Sequence, residues 1–301
     1  MTDNPFDPVT LSKITNMELR ARLVVDGVLS GIHKSPYKGS SVEFLEHKEY
    51  SPGNEIKHID WKALARTDKY YIKEFEEETN LKCYMFLDTS GSMGYQSTGV
   101  SKFEYAATLA ASLAYLLLNQ SDFVGLISFS DRVQQYIPPR SRLAHLHVLL
   151  NALTGLKTAG KSNISGILSE FVEKIGRRSL IIIISDFFDD TDKIIRQLKY
   201  FQVKKNEIIL FQILDPYELT FPFETITFFE SMEDDRRILA DPKAIKDRYL
   251  SEINRFTEQF KQVCLENQID YWLIDSSMPL DQALIKFLAR RESTLRPLHK
   301  P

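Results

Sequence analysis

The stretch Met85–Gly94, MFLDTSGSMG, changes from apolar to polar residues within one step. Its first residues belong to the run Cys83–Leu87, CYMFL, whose continuous apolar character is typical of a strand buried on both faces of a sheet. A carboxylate and two hydroxyls follow at alternate positions, namely Asp88, Ser90 and Ser92. By itself this pattern is compatible with a turn, a metal site or a catalytic site.

Downstream of this stretch, apolar runs alternate with segments that have the periodicity or the capping signals of helices. Further strands are expected over Phe123–Phe129, Leu180–Ile184, Glu207–Leu214 and Tyr271–Ile274, with Val133–Ile137 as an edge strand. Helices are expected over about 102–118, 141–153, 164–175, 191–202, 241–267 and 280–290. This alternation predicts an α/β fold in which helices cover both faces of a mostly parallel sheet.

The first part of the chain departs from this alternation. Residues 1–12 have the character of a loose tail, and a helix is expected over about 14–31. Residues 31–80 mix aromatic residues, charged residues and turn signals. We therefore expect an N-terminal helix and a small strand-containing subdomain in residues 1–79, and the α/β domain in residues 80–301.

Residues 225–240 depart from the alternation in a second way. Two short β-like runs, Thr225–Phe229 and Arg236–Ala240, flank the acidic turn Glu233–Asp235. This pattern predicts a β-hairpin inserted into the α/β domain, with a solvated acidic tip.

The composition excludes several classes of function. The 301 residues are 43% hydrophobic and 26% charged, with a formal net charge of -3, so no electrostatic footprint for nucleic acid is visible. Two cysteines cannot form a disulfide framework. The N-terminus lacks the apolar core of a signal peptide, and no run reaches the roughly 18 apolar residues that a membrane span needs. We expect a cytoplasmic protein with no direct membrane span.

Two carboxylates are expected on one rim of the sheet. Asp88 ends the first buried strand and Asp186 follows the strand LIIII, and ligands of parallel sheets bind outside the carboxyl ends of the strands. If the backbone stays extended, the side-chain oxygens of Asp88, Ser90 and Ser92 can converge on one point. Carboxylate and hydroxyl oxygens suit Mg²⁺ or Mn²⁺ rather than zinc. Because Mg²⁺ takes about six ligands, other loops must contribute, and Ser162 and Asp186 are the candidates.

The D-x-S-x-S spacing that begins at Asp88 resembles the metal-ion-dependent adhesion site of von Willebrand factor A domains. In that family a Thr from a later loop and an Asp after a central strand complete the site. Ser162 and Asp186 stand at these two positions, and the resemblance covers about residues 80–215. It implies a Rossmann-like von Willebrand factor A fold and a bound Mg²⁺ or Mn²⁺ that also takes an acidic side chain of a partner protein.

The flanking sequences resemble a narrower family, domain-of-unknown-function family fifty-eight. This bacterial group has a Y-x-P-G-D…I-D-W…A-R signature, and its members accompany MoxR-type AAA+ ATPases. The similar residues here are Tyr50–Asn54, Ile59–Trp61, Ala65–Arg66, Lys73–Phe75 and the part of the chain that begins at Asp215. Asn54 stands where that family usually has Asp. The resemblance implies a non-enzymatic adaptor that couples a MoxR-type AAA+ ATPase to client proteins in the maturation of complexes.

Three alternatives remain open from the residues. Small polar residues favour turns, so Asp88–Ser92 could be a plain strand-to-helix turn. A metal-dependent hydrolase could use the same rim, with the ion activating water, although no general base is evident beyond Asp88 and Asp186. The stretch Gly155–Ser162 fits the bare pattern of a phosphate-binding loop, but it follows an expected helix rather than a strand.

Overall fold

The computed structural model describes residues 6–33, 48–49, 71–72, 81–234 and 236–295. The chain divides into two compact units, one of residues 32–80 and a larger one of residues 1–31 and 81–301. In the smaller unit, the described strands β1 (Lys48–Glu49) and β2 (Tyr71–Ile72) pair antiparallel. The signature segments 50–54, 59–61, 65–66 and 73–75 lie outside the described residues.

The N-terminal residues are more ordered than a loose tail. Helix α1 spans Pro8–Ser12, where no helix was expected. Its cause is local, because the Asp7 carboxylate accepts a hydrogen bond from the Thr10 backbone N–H at 2.9 Å and proline occupies the first helical position. Helix α2 follows over Met17–His33, close to the expected range.

Residues 17–31 of helix α2 belong to the larger unit, whereas the expected boundary at residue 79 grouped this helix with residues 32–80. Val24 and Val28 are fully buried on one of its faces. Arg20 donates to Glu104 Oε1 at 2.9 Å and to the Ser12 carbonyl at 2.8 Å. The sequence could not indicate this packing, because the contact joins residues that lie 84 positions apart.

The described strands of the larger unit match the expected runs closely. They are β3 (Lys82–Asp88), β4 (Phe123–Phe129), β5 (Val133–Arg140), β6 (Ser179–Ser185), β7 (Glu207–Leu214), β8 (Thr227–Glu230), β9 (Arg237–Ala240) and β10 (Asp270–Asp275). The main sheet has the order β10-β7-β6-β3-β4-β5. All its neighbours are parallel except β5, which pairs antiparallel with β4 at the edge. The expectation of an α/β fold with a mostly parallel sheet is therefore confirmed.

The helices of this unit lie between the strands. They are α3 (Lys102–Asn119), α4 (Ala144–Gly155), α5 (Ile164–Val172), α6 (Thr191–Val203), α7 (Pro216–Thr220), α8 (Pro242–Glu266) and α9 (Leu280–Leu295), with a 3₁₀ turn at Gly91–Gly94. Helix α7 was not expected, and it begins with a capping box between Asp215 and Glu218. Helix α4 starts three residues later than expected, and α9 continues five residues further.

Burial on both faces explains the continuous apolar strands. Every residue of β6 is buried. Phe86 and Ile183 belong to a core cluster that also contains Phe171 from α5 and Phe260 from α8. On the opposite face Phe211 packs against Phe287 of α9, with ring centroids 6.4 Å apart. Helices thus cover the sheet from both sides.

The strands β8 and β9 pair antiparallel, with Thr227 opposite Ala240, and form a hairpin between α7 and α8. Aromatic contacts attach its base to the neighbouring elements. Phe229 stacks on Phe221 at 5.7 Å between centroids, and Phe221 lies 4.5 Å from the Tyr249 ring of α8. Phe221 has a φ of 45°, which ends α7 in the left-handed region.

Within the described part of the chain, no helix combines the length and the apolar character that crossing a membrane requires.

Candidate functional site

The sheet brings the ends of β3 and β6 to one rim. These strands are parallel neighbours, with Leu87 opposite Ile184, so that Asp88 and Ser185 end them side by side. The loop that precedes α5 reaches the same rim through two backbone hydrogen bonds. Ala159 N–H donates to the Thr89 carbonyl at 2.9 Å, and Gly91 N–H donates to the Gly160 carbonyl at 2.8 Å. Ser162 is thereby placed beside the D-x-S-x-S loop.

Asp88 is the centre of a hydrogen-bond network at this rim. Its Oδ1 accepts from the Ser90 backbone N–H at 2.8 Å. Its Oδ2 accepts from the hydroxyls of Ser162 at 3.0 Å and of Ser185 at 2.7 Å. The Ser90 and Ser92 hydroxyls lie 3.2 Å apart. Four of the five candidate ligands, Asp88, Ser90, Ser92 and Ser162, therefore meet in one cluster.

Asp186, the fifth candidate, is engaged elsewhere. It is buried next to the end of β6, and its Oδ2 accepts a hydrogen bond from Lys102 Nζ at 2.8 Å. Its Oδ1 accepts from the Phe188 backbone N–H at 3.3 Å. Lys102 also donates to Glu218 Oε1 at 2.7 Å, and the Asp215 backbone N–H holds the other oxygen of Glu218 at 2.8 Å. The Asp186 carboxylate therefore contributes its charge to the rim rather than a free oxygen.

The electrostatics of this cluster favour an added cation. Burial and, to a smaller extent, the nearby charge of Asp186 raise the pKa of Asp88 to about 6, against the lowering effect of the hydrogen bonds from Ser185 and Ser90. Burial acts to lower the pKa of Lys102, but Asp186 and Glu218 outweigh it and the net pKa is raised, so Lys102 stays charged. When ionised, the three carboxylates and this one ammonium sum to -2, which is the charge that a divalent cation balances.

The donor set at the rim fits a hard cation. Among the described residues, no group of three or more His, Cys, Asp and Glu side chains could hold a metal ion. At this rim the oxygens other than those of Asp88 belong to serine hydroxyls. Ser92 and Ser162 are the partly exposed serines of the cluster. Asp88 already accepts three hydrogen bonds, so most of its lone-pair capacity is used. Oxygen donors of this kind suit Mg²⁺ or Mn²⁺ rather than zinc, and Ser90, Ser92 and Ser162 are the residues that would hold such an ion together with Asp88.

Sequence reasoning missed Lys102, Glu218 and Ser185. One signal was available for Lys102, since it is the first residue of α3, where a positive charge opposes the helix dipole. A lysine at that position needs another reason, and two buried carboxylates supply it. No comparable signal marks Ser185, which is the polar end of an otherwise apolar strand.

The geometry disfavours a phosphate-binding loop at Gly155–Ser162. Gly155 is the last residue of α4, so a helix rather than a strand precedes the loop. Helix α5 begins at Ile164 and is capped by the Asn163 side chain, which accepts from Gly166 N–H at 3.1 Å. Lys161 is largely exposed and lies 3.6 Å from Asp234.

Comparisons of sequence and structure find several proteins that are similar to this chain. The chain is 24% identical over 220 residues to the uncharacterized proteins Rv1480 of Mycobacterium tuberculosis and Mb1516 of Mycobacterium bovis, which covers 72% of this chain and 68% of each relative. Among solved structures, the conserved hypothetical protein BatB from Bacteroides thetaiotaomicron matches with a TM-score of 0.47 and 16% identity, over 71% of this chain and 99% of that one. An aerotolerance-related membrane protein from Bacteroides fragilis matches with a TM-score of 0.46 and 17% identity, over 70% of this chain and 99% of that one.

The family comparison is specific. The model described as "Protein of unknown function DUF58" matches residues 46–258, which is more than half of the chain. That range includes the rim residues Asp88, Ser162 and Asp186 together with the hairpin. The chain belongs to the DUF58 family.

Proposed function

We propose that this protein is a non-enzymatic adaptor that binds an acidic residue of a partner protein through a divalent cation. The cation is Mg²⁺ or Mn²⁺, held at the rim by Asp88, Ser90, Ser92 and Ser162, with Asp186 as a nearby charge. When bound, the ion supplies positive charge to a carboxylate that would otherwise be repelled by this rim. We propose that the fold is a von Willebrand factor A domain into which the hairpin is inserted.

The observation that carries the proposal is the convergence of serine hydroxyls from distant parts of the chain on the buried carboxylate of Asp88. A plain turn needs only the local hydrogen bond from Ser90 N–H to Asp88. Here Ser162, which lies 74 positions away, and Ser185, which lies 97 positions away, also donate to the same carboxylate. A purely structural turn gains nothing from burying two nearby acidic groups, whereas a cation site needs them.

The partner is proposed from the resemblance stated above. We propose that the adaptor works in the cytoplasm with a MoxR-type AAA+ ATPase and presents client proteins to it during the maturation of protein complexes. The contact to the ATPase passes through an aspartate or glutamate of that protein. The low net charge of the chain is consistent with a protein partner rather than nucleic acid.

A pull-down from a native lysate tests both parts of the proposal. Tagged wild-type protein is used as bait with Mg²⁺ or with EDTA, next to Asp88→Asn and to Asp247→Asn, which removes a charge at an exposed position of α8. We expect an AAA+ ATPase to be recovered by the wild type and Asp247→Asn with Mg²⁺ only, and not by Asp88→Asn. Equal recovery in EDTA would contradict the metal bridge, and recovery of other proteins only would contradict the ATPase partnership.

The competing function is a metal-dependent hydrolase at the same rim. Its chemistry needs a group that deprotonates water, and both candidate bases are already occupied. Asp88 accepts three hydrogen bonds and Asp186 pairs with Lys102. We expect no phosphatase or peptidase turnover with Mg²⁺ or Mn²⁺. Turnover that Asp88→Asn abolishes would favour the hydrolase.

A further inference from the structure

The tip of the β8–β9 hairpin lies directly against the candidate cation site. A Cβ atom added at Gly91 would lie 2.0 Å from the Met232 carbonyl oxygen, a distance that no side chain could tolerate. A Cβ added at Gly94 would lie 3.4 Å from the terminal methyl carbon of Met232. Gly91 therefore allows the hairpin backbone to approach the D-x-S-x-S loop closely.

Residues of the tip also lie beside both loops of the site. Ser92, one of the candidate ligands, lines a cleft together with Glu233. Asp234 lies 3.6 Å from Lys161, which immediately precedes the candidate ligand Ser162. The tip thus borders the rim on two sides.

The conformation of the tip presents Glu233 toward the rim. The Ser231 hydroxyl accepts from the backbone N–H groups of Glu233 and Asp234, at 3.3 and 3.2 Å, and fixes the turn locally. A cleft of about 290 Å³ separates the tip from the rim, and its lining includes Ser92 and Glu233. The Glu233 side chain therefore borders open space next to the candidate ligand Ser92.

We propose that Glu233 is the chain's own occupant of the coordination position that the partner's carboxylate takes. The inference rests on the proposed function, because it assumes that a cation binds at Asp88, Ser90, Ser92 and Ser162. The hairpin and the partner then compete for the same position, and a partner must lift the tip in order to bind. Glu233 therefore lowers the apparent affinity for the partner and is not a permanent ligand of the ion.

The contacts that hold the tip are of the kind that a partner can displace. The Lys161–Asp234 pair involves a lysine side chain that is 64% exposed, and such solvent-screened pairs stabilise a structure only weakly. The aromatic contacts of Phe229 with Phe221 lie at the base of the hairpin and can persist when the tip moves. An acidic side chain of a partner protein, supported by that protein's other contacts, can therefore replace Glu233 without unfolding the hairpin.

Mn²⁺ titration of the full-length protein tests this inference. Electron paramagnetic resonance of free Mn²⁺ gives the affinity, and water-proton relaxation reports how many waters the bound ion keeps. The proteins are the wild type, Glu233→Gln, Asp88→Asn, and Glu224→Gln as a matched charge change at an exposed position before the hairpin. Acetate serves as the probe for an external carboxylate.

We expect Glu233→Gln to bind Mn²⁺ about tenfold more weakly than the wild type and to show stronger relaxation for each bound ion. Acetate should reduce that relaxation at about tenfold lower concentration in Glu233→Gln, the factor for a position that the tip fills about 90% of the time. Glu224→Gln should match the wild type in both measurements.

The two ideas fail in different ways. If Asp88→Asn loses Mn²⁺ while Glu233→Gln matches the wild type in affinity, relaxation and acetate response, the role of Glu233 is wrong and the cation site stands. If the wild type binds no Mn²⁺, the proposed function is wrong and the inference falls with it.

Discussion

Lys102 Nζ lies 2.8 Å from Asp186 Oδ2, and both side chains are almost completely buried. The same ammonium lies 2.7 Å from Glu218 Oε1, so one lysine is shared between two carboxylates. This triad joins the start of α3, the end of β6 and the short helix α7 immediately beside the candidate cation site. Lys102 occupies one oxygen of Asp186, so this carboxylate acts on the cation site through its negative charge. The site is therefore not a simple cluster of five converging ligands.

Replacing Lys102 with methionine should be strongly destabilising. The substitution preserves much of the side-chain volume but leaves Asp186 and Glu218 buried without their cation. Removing one partner of a buried ion pair typically costs about 3–5 kcal/mol, and we expect a loss in that range from urea unfolding. A change below about 1 kcal/mol would contradict the importance of the triad.

A second substitution distinguishes the Lys102–Glu218 interaction from the Lys102–Asp186 interaction. In the Lys102→Met background, Glu218→Gln removes one of the two unpaired charges, so the double variant should be more stable than Lys102→Met alone. In the wild-type background, Glu218→Gln should destabilise, because the charge-assisted bond from Lys102 is weakened. Additive effects of the two substitutions would show that the ammonium and Glu218 do not interact.

Asp88→Asn should stabilise the metal-free protein, which is the reverse of what a buried substitution normally does. A folded pKa of about 6 instead of 3.8 makes ionised Asp88 cost up to about 3 kcal/mol near neutral pH. Asparagine avoids that charge but loses part of the acceptor capacity used by Ser162 and Ser185, at about 1 kcal/mol. Thermal melts in EDTA should therefore show a higher midpoint for Asp88→Asn.

The response to Mg²⁺ provides the control for that prediction. Saturating Mg²⁺ should raise the midpoint of the wild type and leave Asp88→Asn unchanged, because binding to the folded state alone stabilises it. A lower midpoint for Asp88→Asn in EDTA would mean that the carboxylate is structural and not held ready for a cation.

The stability of the metal-free protein should fall as the pH rises through about 4 to 6. The folded state binds the Asp88 proton up to a pKa of about 6, whereas the ordinary value is 3.8. Between those values the folded state carries more protons than the unfolded state, so the free energy of unfolding decreases with increasing pH. Burial also raises the pKa values of Glu218 and Glu233, which adds to the slope in the same direction.

Urea unfolding in chelator at several pH values measures this slope. The part that belongs to Asp88 is the difference between the wild type and Asp88→Asn, which amounts to about 3 kcal/mol across the window. Parallel curves for the two proteins would contradict the raised pKa of Asp88.

Arg20→Ala should weaken the packing of the N-terminal helices α1 and α2 against the rest of the larger unit. The guanidinium donates to the Glu104 carboxylate and to the carbonyl oxygens of Ser12 and Ile14, which the substitution leaves without a partner. We expect a loss of about 2–3 kcal/mol and faster amide hydrogen exchange in residues 8–29 than in the sheet.

Arg22→Ala is the matched control on the same helix. Its pair with Asp26 spans 3.6 Å between two largely exposed side chains, so its removal should cost less than about 0.5 kcal/mol. Similar exchange in both variants would show that Arg20 contributes no more than a surface arginine.

The order of elements in the larger unit was predictable because burial on both faces imposes a continuous apolar run on each strand. Strands over Phe123–Phe129 and Glu207–Leu214 have the bounds expected from the sequence. The start of α8 was equally visible, since Asp241 caps the helix and Pro242 occupies its first position. Helix α7 was missed because five residues are too few to show a helical period.

The candidate site was predictable to the level of the rim and no further. The position of Asp88 at a strand end placed it near Asp186 and Ser162, because parallel strands share their carboxyl edge. It did not indicate that Lys102 occupies Asp186, since a lysine at a helix start has many possible partners. It also did not show that the acidic hairpin tip, expected to be solvated, places Glu233 in the lining of the same cleft as Ser92.

The sequence by itself therefore determined the α/β class, the strand order along the chain and the edge of the sheet where polar groups gather. These features depend on apolar periodicity and chain direction, which are local properties. The tertiary structure alone decided which oxygens meet, because Ser162, Ser185 and Lys102 reach their carboxylates across 74 to 97 positions of the chain. Contacts of that kind depend on how helices and loops pack on the sheet to within a hydrogen-bond length, and no local pattern encodes that distance.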